Sequence, residues 1–146
     1  MANKRSIFRR KSGKTLEVDE ALIALFISAM NANDHVAREE LARAHHLIWS
    51  TRRFRRKSGE TVGRLIGRVK RLLEEQDSAA VMETAARTVP ARLRPSAFAL
   101  VADILLADGK IDARERRFLR RLASDLGMSV RMATNVVDAL LVKNDL

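Results

Sequence analysis

The stretch Phe98-Ala-Leu-Val-Ala-Asp-Ile-Leu-Leu-Ala-Asp-Gly-Lys-Ile-Asp-Ala-Arg-Glu115 decides the fold. Phe98, Val101, Ala102 and Leu105 recur at three- and four-residue spacing, the period of a helix that buries one stripe. Gly109 then interrupts the run, because it can take the left-handed conformation that ends a helix. Ile111 can plug the turn into the core. Asp112 and Glu115 have the spacing of a capping box, in which each side chain accepts from a free amide at the start of the next helix. The stretch therefore reads as helix, tight turn, helix.

The same period extends in both directions. A first helix opens at Val18-Asp19 and carries Leu22, Leu25, Phe26, Ala29 and Met30. A second runs from about Ala37 to Ser50, and a third from about Glu60 to Glu75 with Val62, Leu65, Ile66, Val69, Leu72 and Leu73 as its stripe. Asp77 or Ser78 caps a fourth. Pro95 suits the first turn of the fifth. The sixth starts at Asp112 and closes at Gly127, and Ser129 caps a seventh. No segment alternates apolar and polar residues between hairpin turns. The expected fold class is all-α, with about seven helices forming one bundle. Shifting the chain by about 75 residues aligns Ala32–Val36 with Ala107–Ile111, so the two halves read as related helical hairpins. The expected organisation is a flexible basic tail over residues 1–16 and a helical domain over 17–146.

Composition narrows the chemistry. The 146 residues include no cysteine, which excludes disulfides, thiolate metal sites and a cysteine nucleophile. Tyrosine is absent and aromatics are 4%, which argues against base-stacking platforms. The net charge of +10 predicts attraction to anionic partners. That charge is concentrated: residues 1–16 hold six cations and no acid, and residues 52–71 hold nine cations and one acid. Three acids, Glu17, Asp19 and Glu20, stand between the basic start and the uncharged run 21–33, unlike a secretory leader. That run is also too short to span a bilayer, which takes about 20 residues. The expected compartment is the cytoplasm, with peripheral docking on the inner face of the membrane left open.

Two groups of residues carry candidate chemistry. Asp103, Asp108, Asp112 and Glu115 place four carboxylates within thirteen residues, enough to gather a hard divalent cation such as Ca²⁺ or Mg²⁺. Capping alone accounts for Asp112 and Glu115. A true EF-hand is excluded, because its earlier ligand positions fall on Ile104 and Leu106. The second group is basic. Arg52, Arg53, Arg55, Arg56 and Lys57 crowd the link before the third helix, and Arg64, Arg68 and Arg71 continue along one helical face. Such a block can grip phosphates or anionic lipid; as a solvated face it would instead pair with Glu60, Glu74 and the acids of the second helix. Phe8–Thr15 and Phe54–Thr61 repeat with seven of eight residues identical.

An apolar helix followed by Ala107-Asp-Gly-Lys-Ile-Asp-Ala-Arg-Glu115, then Arg/Phe/Leu periodicity and Leu126-Gly-Met-Ser129, resembles the TerB-like domains of bacterial tellurite-resistance and stress proteins. The resemblance implies a pseudo-repeated helical bundle whose clustered acids, here Asp103, Asp108, Asp112 and Glu115, hold metal. The first hairpin departs from the pattern, with Ala37 where an acid would stand. The Ser12-Gly13-Lys14-Thr15 run lacks the upstream glycine of a phosphate-binding loop, and His35, His45 and His46 read as surface or boundary residues. No nucleophile–base arrangement and no small-molecule substrate site emerges. The expectation is a non-enzymatic interaction or sensing module of a stress response, with a protein partner or an anionic membrane surface. The alternative is a basic helical protein that binds nucleic acid mainly through phosphates.

Overall fold

A computed structural model describes residues 15–32, 45–107 and 109–145. Asp108 and the acids of the expected second helix, Glu39 and Glu40, lie outside the described residues, as does most of the expected tail. The elements are α1 (Val18–Asn31), α2 (described over 45–50), α3 (Gly59–Glu75), α4 (Ser78–Thr88), a 3-10 turn (Ala91–Leu93), α5 (Arg94–Leu105), α6 (Ala113–Asp125) and α7 (Val130–Asn144). No strand occurs among the described residues. The chain is all-helical, as its periodicity predicts.

Local chemistry sets the boundaries. Ser58, Asp77, Asp112 and Ser129 each accept a hydrogen bond from the backbone amide three residues on, satisfying one of the orphan donors at a helix start. Gly109 and Gly127 take φ of +78° and +67°, which lets the chain turn sharply after α5 and α6. Asp112 and Glu115 complete the capping box: Asp112 Oδ1 accepts from the Glu115 amide at 2.8 Å, and Glu115 Oε2 accepts from the Asp112 amide at 3.1 Å.

Packing explains why α1 and α5 are apolar nearly all round. α1 lies against α3, α4 and α5 and buries every residue from Glu20 to Ala29. α5 lies against α1, α6 and α7 and buries Val101 through Leu105. α3 sits at the edge and buries only Val62, Val69 and Leu72, a single stripe. Leu16, placed at the end of the expected tail, is also part of the core. Arg94 joins separate helix ends: its guanidinium donates to the Val89, Leu126 and Arg87 carbonyls at 3.0, 3.5 and 3.5 Å, so one cation covers the C-terminal ends of both α4 and α6.

Candidate docking surface and acidic turn

The basic link is an anchored structure. Residues 51–57 form successive turns, with the Arg55 amide donating to the Thr51 carbonyl at 3.1 Å and the Lys57 amide to the Phe54 carbonyl at 2.9 Å. Phe54, flanked on both sides by pairs of arginines, turns inward and is 1% exposed. Its ring meets Phe26 of α1 edge-on, with centroids 6.4 Å apart and planes at 74°. A second anchor is ionic. Asp19 at the start of α1 takes Arg53 Nε on Oδ1 and Lys57 Nζ on Oδ2, the latter at 3.0 Å. Burial works to raise the Asp19 pKa, but the hydrogen bonds and charges of Arg53 and Lys57 outweigh it and hold the carboxyl below its ordinary value.

These anchors divide the eight predicted cations. Arg53 and Lys57 are tied to Asp19, and Arg68 Nη1 reaches Glu20 Oε1 at 3.4 Å. Arg71 donates Nε to the Gly67 carbonyl at 3.3 Å. Arg68 and Arg71 also line a cleft of about 560 Å³ with Glu17, Glu20 and Glu75, so their field is offset by acids. Among the described residues the carboxylates that pair with the basic block are Asp19 and Glu20 of α1, and Glu60 and Glu74 hold none of these cations. Arg52, Arg55, Arg56 and Arg64 are exposed and have no carboxylate partner among the described residues.

The acidic turn holds three of its four predicted residues within the described structure. Asp103 is buried, yet its carboxylate is engaged from α7: Lys143 Nζ donates to Oδ2 at 2.8 Å and Asn144 Nδ2 to Oδ1 at 3.1 Å. Asp112 and Glu115 face each other across the capping box, and Glu115 is 2% exposed. A divalent cation needs several carboxylate oxygens with lone pairs to spare. Here one oxygen of Asp112, one of Glu115 and both of Asp103 already accept from protein donors. The Lys143 ammonium supplies the positive charge that a buried Asp103 requires. Among the described residues no three metal-ligating side chains form a group that could hold a cation; the fourth predicted ligand, Asp108, lies outside them.

Sequence reasoning missed the partners that act across the fold. Lys143 and Asn144 lie about forty residues from Asp103, and no local spacing links them. The Phe54 anchor had a local signal, an aromatic residue between two arginine pairs; in the 8–15 copy Phe8 is followed by such a pair and preceded by Ser6-Ile7.

An all-helical, cysteine-free bundle with a glycine turn at Gly109 and a capping box at Asp112 and Glu115 defines the class. The chain belongs to the TerB family: the model of that family, described as tellurite resistance protein TerB, matches residues 19–136. Comparison with curated proteins and with solved structures returned no match. Among the described residues no helix is long and apolar enough to cross a membrane.

Proposed function

We propose that this TerB-domain chain is a non-enzymatic interaction module of a stress response, which docks on an anionic membrane surface through Arg52, Arg55, Arg56 and Arg64. One observation carries the reading. Arg52, Arg55 and Arg56 project from a segment locked to α1 by Phe54 and Asp19, and Arg64 follows on α3, so their charge is presented at little further ordering cost. At about 1 kcal/mol per cation near an anionic leaflet, the four contribute roughly 4 kcal/mol, a weak and reversible attachment. The basic residues 4–14 add to this in the full chain.

The test is co-sedimentation with vesicles of phosphatidylcholine, with and without phosphatidylglycerol, beside a random DNA duplex at matched salt. Binding should require the anionic lipid and fall as salt rises. Arg52→Ala/Arg56→Ala should weaken it about thirtyfold, the equivalent of about 2 kcal/mol. Preference for the duplex over vesicles would favour the nucleic-acid alternative, and no binding to either at low salt would end the docking reading. The acidic turn enters this reading as a structural joint. A divalent ion on Asp103 would compete with Lys143 and Asn144 for its carboxylate, so calorimetric titration with Ca²⁺ or Mg²⁺ separates joint from metal site.

A further inference from the structure

α7 is apolar for a helix with so little buried. Its fifteen residues include four valines, two leucines and one methionine, yet none is fully buried, and Val130 and Val142 are 83% and 75% exposed. α7 leans on the core through Ala133, Val136, Val137 and Leu140. Between α7 and α6 a groove of about 620 Å³ remains, lined by Val130, Ala133, Val137 and Leu141 of α7 and by Leu119 and Ala123 of α6. The α7 wall recurs at 130, 133, 134, 137, 138 and 141, a helical stripe about 16 Å long at 1.5 Å per residue. The two walls thus form an elongated seam with the length of about three turns of a further helix.

The seam is electrostatically one-sided. Arg116 and Arg120, one turn apart on α6, line it; both are exposed and neither has a carboxylate partner among the described residues. Among the described residues the only acid lining the groove is Asp138, on the α7 wall. We propose that this groove receives an acidic amphipathic helix from a partner protein. Its apolar stripe would fill the seam, and carboxylates spaced i, i+4 along one flank would meet Arg116 and Arg120. A second copy of this chain is a poor occupant: its net charge is +10, and its α7 offers one acid between Arg131 and Lys143. A bilayer surface cannot follow a concave seam. This site is separate from the arginines proposed for membrane docking, which lie on the 51–57 link and α3.

The test uses the full chain and a fluorescent peptide of about 18 residues, long enough for five turns. The peptide carries leucines at i, i+3, i+4 and i+7 and glutamates along one flank. Two further peptides replace the glutamates by lysines or scramble the leucines. Anisotropy should show binding of the acidic amphipathic peptide and neither of the others. Arg116→Glu/Arg120→Glu should weaken it at least about tenfold, while the charge-matched Lys70→Glu/Arg92→Glu should change it little. Val130→Glu, at an exposed rim position, should also weaken binding without loss of fold by circular dichroism. Failure of the acidic peptide to bind would overturn the proposal, as would equal loss in both double variants, which would reduce the effect to net charge. A concentration-dependent dimer in sedimentation that Val130→Glu abolishes would assign the groove to a second copy and overturn it as well. Vesicle binding should survive Arg116→Glu/Arg120→Glu, so the two surfaces fail independently.

Discussion

Phe54→Ala should be among the most damaging single changes in this chain, although the residue sits in an arginine-rich link. The side chain is 1% exposed and its ring lies edge-on to Phe26 at 6.4 Å, so truncation removes a whole buried ring and an aromatic pair and leaves a cavity against α1. Buried Phe→Ala changes cost about 3–5 kcal/mol. In a chain of this size each kcal/mol lowers Tm by about 2–4 °C, so a fall of roughly 6–20 °C is expected. Urea melts followed by circular dichroism give the free energy directly. Phe54→Leu keeps most of the apolar volume and loses the edge contact, and should cost about 1–2 kcal/mol. Under native conditions Phe54→Ala should also bind anionic vesicles more weakly than wild type, because Arg52, Arg55 and Arg56 lose their platform. A Phe54→Ala protein within about 1 kcal/mol of wild type would refute the idea that the ring pins the basic link to α1.

Other expectations follow from single contacts. Asp112→Ala should cost about 0.5–2 kcal/mol in urea melts, since it removes the acceptor for the Glu115 amide at 2.8 Å. Gly109→Ala should cost about 1–2 kcal/mol from backbone conformation alone: φ is +78°, and an added Cβ meets no atom within 4 Å. Ser28→Ala should leave stability unchanged or raise it, because the Ser28 hydroxyl is buried with no hydrogen-bond partner among the described residues. Asp19 gives a pH dependence. Its folded pKa lies below its ordinary value, so its stabilisation is complete above the ordinary carboxylate range and is lost as pH falls through the depressed folded value. Thermal melts from pH 7 downward should therefore show a smaller acid loss in Asp19→Asn than in wild type. Equal slopes would remove Asp19 as an anchor.

Helix positions and turns were legible from residue order because they are local. The turn at Gly109, the capping box and the Ser58, Asp77 and Ser129 caps depend on local sequence, and each lies where the pattern places it. The all-α class follows, since an apolar stripe at helical period must be buried against another helix. The concentration of charge in residues 52–71 was equally plain. The availability of that charge was decided by packing. α1 brings Asp19 and Glu20 to Arg53, Lys57 and Arg68, and this neutralises part of the block while leaving Arg52, Arg55, Arg56 and Arg64 to solvent. The same holds for the acids. Asp103 stands among carboxylates in sequence, but α7 folds back to supply Lys143 and Asn144, and Asp103 becomes a tie between α5 and α7. Spacing reports which side chains share a helix; which charge meets which across two helices depends on how the helices pack, and only the tertiary structure sets that.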